Sequence, residues 1–457
     1  MSLDAAADVQ EDQPIHRKSR KTEYNLVQVK GTWTRKPKNT PGENKKGRVS
    51  AAKIYECSRD NGIVWTVVSP IVFTYQVIQT KKLLDPSNDT LLLGHIRDHH
   101  QIQVLHSNSK PLKRFVVMDE TVFNLYGGQV TNYFEARNVL YRILPLATTE
   151  ENKSMDMVIK ILDEVHKFGI DRRTEPIIAI GGGVCLDIVG LAASLYRRRT
   201  PYIRVPTTLL SYVDASVGAK TGVNFANCKN KLGGYIPPVA AFLDRSFIQT
   251  VPRRQISNGL AEMLKMALMK HRELFEILET QGSFLLDSKF QSCIGAASLD
   301  QTHAAAVSTR IAIETMLEEL APNLWEDDLD RLVDFGHLIS PELEMVVLPA
   351  LLHGEAVNID MSLMVYVALE KGLLIEEEKC RIIRCMLALE LPVWHQDCTL
   401  ALVQKSLCER LKHCGGLVRM PLPVGIGHAE IFNDLDDKTL FHAFERWCDE
   451  LNSGLPL

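Results

Sequence analysis

Apolar residues in this chain follow two different patterns, and the change between them falls near residue 250. From Ile54 onward, short runs of β-branched and aromatic residues alternate with segments of helical periodicity. The predicted strands include FVVMDE (115–120), VLYRILPL (139–146) and PIIAIGG (176–182), and SMDMVIKILDEVHKFG (154–169) is a predicted helix. Strands and helices that alternate in this way are typical of a parallel sheet covered by helices. Residues 54–250 are therefore predicted to form an α/β domain.

After Pro252, apolar residues recur every three or four positions, which is the spacing of amphipathic helices. Three long segments show this spacing, at 256–279, 302–320 and 357–374. Residues 251–457 are therefore predicted to form an all-α domain. A ligand is expected to bind between the two domains.

Residues 1–53 differ in composition from the rest of the chain. They contain the basic runs HRKSRK and RKPKNTPGENKKGR, little apolar material and no helical periodicity. Such a composition is typical of segments that cannot bury enough apolar surface to fold. The sequence therefore predicts a mobile basic tail over 1–53.

Composition narrows the class of partner. The 457 residues are 46% hydrophobic and 24% charged, with a net charge of -4 that favours neither nucleic acid nor a membrane surface. No apolar run approaches the ~20 residues of a membrane-spanning helix. The ten cysteines are scattered, and the acidic start MSLDAAADVQEDQ does not resemble a signal peptide. We expect a cytoplasmic protein with free thiols, a small-molecule substrate and no nucleic-acid or membrane partner.

A glycine turn is the first candidate site element. Gly181, Gly182 and Gly183 follow an apolar strand and precede a helix that begins near Val184 and carries Asp187. Such a turn allows a pyrophosphate to approach the backbone and the positive end of the helix. The GxGxxG spacing is absent, and glycine at such a turn also serves tight packing alone.

Polar residues are concentrated in the segment RVPTTLLSYVDASVGAKTGVNFANCKNKLGGYIPP. The candidate residues there are Thr207, Thr208, Asp214, Lys220, Lys229 and Asn230. Charged residues in a loop are usually solvated, but two lysines close to a glycine turn suit a phosphorylated ligand.

A third candidate is a metal site made of Glu262, His337 and His353. Two histidines and a carboxylate form a catalytic zinc site when one coordination position stays open. The alternatives are a surface ion pair between Glu262 and Lys265 one turn later, and histidines with purely structural hydrogen bonds. The two histidines are sixteen positions apart in the sequence, which is not the spacing of a compact zinc motif.

Six motifs taken together carry a family resemblance. GGGVCLD, VPTTLLSYVDASVGAKTGVN, CKNKLGGYIPP, GLAEMLK, FGH and LLHGEAV occur in this order between about residues 60 and 430. They resemble the sugar phosphate cyclase superfamily, whose best-known member is 3-dehydroquinate synthase. The resemblance implies an α/β dinucleotide-binding domain followed by an all-α domain. It also implies NAD, a divalent metal (zinc, with cobalt as the alternative) and a homodimer.

The resemblance also implies roles for individual residues. Glu262, His337 and His353 would be the metal ligands. The implied cofactor contacts are Asp119, Glu150, Lys153, Gly182, Gly183, Asp187, Thr207, Thr208, Asp214, Lys220, Lys229 and Thr250. The implied catalytic or substrate-side residues are Lys220, Lys229, Asn230 and Lys265, and Arg198 and Arg310 are candidates for the substrate phosphate.

Departures from the dehydroquinate synthase pattern indicate a particular branch. Pro341 stands where those enzymes typically have a second histidine, and Asp334 stands where they have asparagine. The FGHxxSPxLE pattern resembles the branch that acts on sedoheptulose 7-phosphate and forms either 2-epi-5-epi-valiolone or desmethyl-4-deoxygadusol. Valiolone-forming members are expected to pair an aspartate with a histidine, here Asp334 and His413. The resemblance therefore favours the valiolone product, and the basic N-terminal extension is similar to that of animal members.

The family reaction oxidises the substrate transiently with NAD, eliminates phosphate, returns the hydride and closes the ring by an aldol step. Three alternatives stay open at this point. The first is a dehydroquinate or deoxygadusol synthase, and the second is a related metal-dependent alcohol dehydrogenase. The third is an NAD-binding pseudoenzyme that serves as a scaffold.

Overall fold

The structure is a computed structural model that describes residues 21–29, 32–38, 48–59, 62–107, 111–291 and 299–452. The chain divides into two compact units, one that ends at Thr74 and one from Tyr75 to Leu457.

The first unit contains an antiparallel sheet in the order β2-β1-β3-β4. Its strands are β1 (Lys21–Val29), β2 (Thr32–Pro37), β3 (Arg48–Arg59) and β4 (Gly62–Val68). The prediction of a mobile tail over 1–53 is wrong where this sheet forms, and residues 1–20 lie outside the described residues. The basic side chains that suggested disorder pair across strands instead. The carboxylate of Glu23 forms salt bridges with Lys38 at 2.9 Å and with Lys53 at 2.8 Å. Arg35 forms a salt bridge with Glu56 at 3.2 Å.

The second unit begins with a six-stranded parallel sheet, as the alternating pattern predicts. The strands of the sheet are β5 (Gln76–Thr80), β6 (Lys113–Asp119), β7 (Leu140–Leu146), β8 (Ile177–Gly181), β9 (Tyr202–Pro206) and β12 (Ala240–Asp244). Between β9 and β12 the chain forms a hairpin of β10 (Lys220–Phe225) and β11 (Cys228–Tyr235). The parallel order is β5-β12-β9-β8-β6-β7, and β10 pairs with β11 as a separate antiparallel hairpin. Strands β8, β9 and β12 are buried along their whole length, which explains the continuous apolar run of β8.

Helices cover both faces of this sheet. They are α1 (Thr90–Leu93), α2 (His99–Ser107), α3 (Glu120–Ala136), α4 (Met155–Phe168) and α5 (Gly183–Leu195). One apolar cluster packs α4 and α5 against the sheet, and a second packs α1 and α3 against the other face. The glycine turn thus connects the buried end of β8 to the first turn of α5.

The rest of the second unit is mainly helical, as predicted, but it contains one short antiparallel pair of strands that the prediction of an all-α domain lacks. Its elements are α6 (Arg253–Lys270), α7 (Arg272–Asp287), α8 (Leu299–Leu320), α9 (Ser340–Val347), α10 (His353–Glu370), α11 (Glu376–Ala388), α12 (Leu400–His413), β13 (Met420–Pro423), β14 (Ala429–Phe432) and α13 (Asp437–Asn452). Helix α10 is buried from Gly354 to Ala368, and α6 and α13 both pack against it. A domain boundary at residue 250 stays a prediction, although α6 begins just after it. Within the described ranges, no helix combines the length and apolar character needed to cross a membrane.

Candidate metal centre and nucleotide site

The three predicted metal ligands lie together in the structure. The Nε2 atoms of His337 and His353 lie 3.8 Å and 3.4 Å from Oε1 of Glu262. One ligand atom from each residue falls within 4.8 Å of the other two. The sequence separation of the two histidines is therefore bridged by the fold.

Close packing between α6 and α10 brings the ligands together. A Cβ atom at Gly354 would lie 2.0 Å from the carbonyl oxygen of Asn258, so the two helices meet backbone to backbone. The amide of Gly354 also donates to Oδ1 of Asn258 at 2.5 Å. Glu262 lies one turn after Asn258, and His353 immediately precedes Gly354. The contact therefore fixes the distance between a carboxylate and an imidazole.

The loop that carries His337 is held against the same helix. Gly336 has a φ of +73°, and a Cβ there would lie 2.7 Å from Met361 and 2.8 Å from Val357, both on α10. The carboxylate of Asp360, also on α10, accepts the amide of Ile339 at 2.6 Å. All three ligands are thus positioned by contacts with α10 or α6.

Burial and the ion pair with Lys265 set the protonation states of Glu262 and His337. Glu262 and Lys265 are 1% and 2% exposed, with Nζ and Oε2 2.5 Å apart, so the alternative of a surface ion pair is wrong. Burial raises the pKa of Glu262, but Lys265 and the two histidines overcome it and hold the pKa well below its usual range. Burial and the charge of Lys265 lower the pKa of His337 to about 3. Glu262 is therefore an anion and His337 a neutral imidazole, the states that bind a metal.

The donor set fits zinc. Oε1 of Glu262 is buried and accepts no hydrogen bond from the described part of the chain, although it faces both imidazoles. A buried carboxylate oxygen without a donor is costly unless a cation satisfies it. Two imidazole nitrogens and one carboxylate oxygen are a typical catalytic zinc set with room for a fourth ligand.

The glycine turn fits a pyrophosphate. Gly182 is the N-cap of α5, and the helix has no side-chain cap. Its first amides are therefore directed to an approaching anion. Nearby, Thr207 is buried and its hydroxyl has no hydrogen-bond partner among the described residues. The helix start follows β8 and the unsatisfied hydroxyl follows the neighbouring strand β9. Both features suit the phosphates of a dinucleotide, and the cofactor roles of these residues stay predictions.

Lys153, which is buried, joins Asp187 and Asn230 in one hydrogen-bonded cluster at this turn. Nζ of Lys153 donates to Asp187 at 2.7 Å and to Asn230 at 2.6 Å. Burial lowers the pKa of Lys153, but Asp187 and Glu150 more than offset this and raise it. The cluster joins the β10–β11 hairpin to the start of α5, so cofactor and substrate candidates share one network.

Other predicted cofactor residues have local partners. Asp119 caps α3 by accepting the amide of Val122 at 3.2 Å, and Glu150 accepts the Asn224 amide group at 2.8 Å. Two hydroxyls are similarly paired, Thr208 with Ser211 at 2.9 Å and Thr250 with Tyr126 at 3.0 Å. These contacts place the side chains at the carboxyl edge of the sheet, and their roles in cofactor binding stay predictions.

A network of charges surrounds Asp334. Arg331 pairs with one of its carboxylate oxygens, and Nη2 of Arg410 lies 3.1 Å from the other. Arg331 also pairs with Glu326, whose Oε1 lies 2.7 Å from Nζ of Lys220. The sequence reasoning missed Arg331, Glu326 and Arg410, because their charges resemble those of any solvated loop or helix face.

The electrostatics of this network also involve the metal site. Burial and the charge of Glu262 raise the pKa of Asp214. Burial raises the pKa of Asp334, but Arg331, Lys220 and other cations outweigh it and lower the pKa. Asp334 is therefore held as a carboxylate next to the metal ligands.

Three predicted residues lie on exposed surface. His413 is the last residue of α12, 61% exposed, with Nε2 3.8 Å from Glu409. Arg310 pairs with Glu314 on the exposed face of α8, with 72% of its side chain exposed. Arg198 is exposed in the segment after α5 and has a φ of +61°. The residue of α12 that contacts Asp334 is Arg410, one turn before His413. The phosphate roles of Arg198 and Arg310 stay predictions.

Glu344 is a further buried carboxylate that the sequence reasoning missed. It lies on α9, is 2% exposed, and its Oε2 lies 2.9 Å from Nδ1 of His353. The same oxygen pairs with Nζ of Lys229. The pattern FGHxxSPxLE ends on this residue, but nothing in the pattern indicates that the carboxylate lies at the metal site.

Known protein families match most of the second unit. The model of the 3-dehydroquinate synthase N-terminal domain matches residues 143–258, and that of the C-terminal domain matches residues 259–413. All three metal-ligand candidates fall within the second match.

Individual relatives extend the match. A 2-epi-5-epi-valiolone synthase of Actinomyces sp. is 47% identical over 390 residues, which are 85% of this chain and 99% of the relative. A demethyl-4-deoxygadusol synthase of Trichormus variabilis is 36% identical over 71% of this chain and 78% of the relative. The structure of the 2-epi-5-epi-valiolone synthase of Streptomyces hygroscopicus subsp. jinggangensis 5008, with NAD+ and Zn2+ bound, superposes with a TM-score of 0.77 and 42% identity, covering 84% of this chain and 100% of that one.

Proposed function

Because this chain belongs to the 3-dehydroquinate synthase family of sugar phosphate cyclases, we propose that it converts sedoheptulose 7-phosphate to 2-epi-5-epi-valiolone and inorganic phosphate. The observation that carries the proposal is the geometry of Glu262, His337 and His353 in a chain whose similarity to valiolone synthases extends over 85% of its length. The cofactors are NAD and a divalent metal, with zinc the best fit to the donor set.

Zinc supplies a Lewis acid and NAD+ a hydride acceptor at this site. The three ligands hold the metal, and Lys265 keeps Glu262 ionised by pairing with it in the protein interior. The uncapped start of α5 and Thr207 bind the dinucleotide. Lys229, Lys220 and Asn230 line the substrate side and stabilise the phosphate as it leaves.

The choice of product is assigned to Asp334. Its carboxylate is ionised, only partly exposed, and held at both oxygens by Arg331 and Arg410. A carboxylate fixed in this way orients a substrate hydroxyl or moves a proton. The alternative role is to support the neighbouring ligand His337. The two roles differ in outcome, because only the first changes which product forms.

Purified protein incubated with sedoheptulose 7-phosphate, NAD+ and zinc tests the proposal. We expect phosphate release and the NMR spectrum of 2-epi-5-epi-valiolone, and neither with Glu262→Gln. Desmethyl-4-deoxygadusol as product would refute the product assignment while keeping the chemistry. Net NADH formation would indicate an alcohol dehydrogenase, and NAD binding without turnover would indicate a scaffold.

We also propose that the protein is a cytoplasmic homodimer. The dimer is supported by resemblance to the cyclase superfamily. The cytoplasm is supported by the cysteines within the described ranges, which are all free thiols and suit a reducing compartment. Light scattering of the purified protein and fractionation of cells test these two statements, and a monomer or a secreted protein would refute them.

A further inference from the structure

Glu344 lies where three elements meet. Helix α9 carries it, His353 begins α10, and Lys229 belongs to β11 of the hairpin. A buried carboxylate is costly unless charged or polar partners satisfy it. The structure provides two such partners, and both belong to the proposed metal and substrate site. This position differs from that of a carboxylate that merely stabilises a helix.

The contact with His353 decides how that histidine meets a metal. Its Nε2 faces Glu262, while its Nδ1 lies 2.9 Å from Oε2 of Glu344. A carboxylate at Nδ1 favours the tautomer that carries the proton there, which leaves the Nε2 lone pair for the metal. Glu344 therefore selects the tautomer and fixes the plane of the ring.

The contact with Lys229 has an electrostatic consequence. Nζ of Lys229 lies 2.9 Å from Nδ1 of His353, and both atoms face the same carboxylate oxygen. Without the negative charge, an ammonium would lie directly behind a metal-bound imidazole and repel the metal.

We propose that Glu344 is the positioning residue that links the metal ligand His353 to Lys229, so that one carboxylate sets both the zinc affinity and the place of this lysine. The inference rests on the proposed metal site and adds a residue to it. Removal of a carboxylate behind a metal-bound histidine typically costs 10–100-fold in metal affinity. We expect a loss of about that size for Glu344→Gln.

The chain offers a matched control two residues away. Glu342 lies on the same helix and also pairs with a lysine, since Nζ of Lys405 is 2.6 Å from its Oε2. That pair is on the surface, where such pairs contribute about 0–1 kcal/mol. Glu342→Gln makes the same chemical change on the same helix without touching the metal site. Its zinc affinity is expected to stay within about twofold of the unmodified protein.

The experiment measures the zinc dissociation constant by competition with a chelator, together with the visible spectrum of the Co2+-substituted protein. Glu344→Gln should weaken zinc binding about 10–100-fold and alter the cobalt spectrum, whereas Glu342→Gln should do neither. Adding Lys229→Met to Glu344→Gln removes the unbalanced ammonium, so zinc affinity should partly recover. If Glu344→Gln folds poorly, Glu344→Asp shortens the reach while keeping the charge and should still weaken zinc binding.

Zinc binding and a cobalt spectrum unchanged by Glu344→Gln, or by Glu344→Asp where the first variant misfolds, would overturn the inference. An unmodified protein that binds no zinc would instead overturn the proposed function. A double variant that binds zinc no better than Glu344→Gln would contradict the link to Lys229.

Discussion

The contact between α6 and α10 allows a sharp test of how the metal site is built. Gly354→Ala adds one methyl group at the point where the two backbones meet. The new Cβ would lie 2.0 Å from the carbonyl oxygen of Asn258, which is a backbone atom and has no rotamer to change. The helices must therefore separate, and His353 must move relative to Glu262.

The size of the effect follows from the distances. Reaching an ordinary contact of 3.4 Å from 2.0 Å requires a shift of about 1.4 Å. Metal–ligand distances tolerate only about 0.2 Å. Overpacking of this kind costs about 1–3 kcal/mol, and weakening the Gly354 hydrogen bond to Asn258 adds about 1 kcal/mol. We expect a clear fall in melting temperature and at least a tenfold loss of zinc affinity.

Gly128→Ala is the matched control for this substitution. Gly128 lies inside helix α3, and a Cβ there would meet nothing within 4 Å. Alanine in an exposed helix is favoured over glycine by about 1 kcal/mol, so this variant should melt no lower than the unmodified protein. Calorimetry and chelator competition on both variants provide the comparison. A Gly354→Ala protein with unchanged melting and zinc affinity would refute the claim that this contact sets the ligand spacing.

Further expectations concern pH, product and stability. Burial and Lys229 lower the pKa of His353, but Glu344 and Glu262 outweigh them and raise it to about 9. Since zinc must displace that proton, zinc affinity should rise about tenfold per pH unit up to that value; titration calorimetry in several buffers measures the proton released, and a pH-independent affinity would contradict the assignment. Asp334→Ala with His413→Thr should shift the NMR-detected product toward desmethyl-4-deoxygadusol, and an unchanged product at normal turnover would count against their role. Trp447→Phe removes a fully buried indole whose N–H is shared between the Ser362 hydroxyl and the Val393 carbonyl, so urea unfolding should show a loss of about 1–3 kcal/mol. Equal stability would contradict that account.

Local patterns were enough to predict the parallel sheet and the helical character of the segments that form α4, α5, α6, α7, α8 and α10. Strands such as β8 are buried on both faces and read as continuous apolar runs. The part of the first sheet before Ile54 was missed because its strands carry many charges, and pairs such as Lys53 with Glu23 balance them across strands. Pairing of this kind depends on register, which composition does not reveal.

The metal site shows a different limit of the sequence. Spacing alone does not predict that His337 and His353 converge, because the backbone contact at Gly354 brings their elements together. Family resemblance supplied the three ligands, and the structure brings them together. Glu344 was missed because its role depends on the packing of α9 against β11, and no local pattern records that packing.

The most direct test of the central claim follows the hydride itself. Sedoheptulose 7-phosphate carrying deuterium at C5 is incubated with the zinc-loaded protein and one tenth as many moles of NAD+ as of substrate. The product is then analysed by NMR. A redox-neutral cyclase should make many equivalents of 2-epi-5-epi-valiolone per NAD+, with the deuterium retained and no NADH accumulating. Product limited to the amount of NAD+, or loss of the deuterium to solvent, would contradict the account.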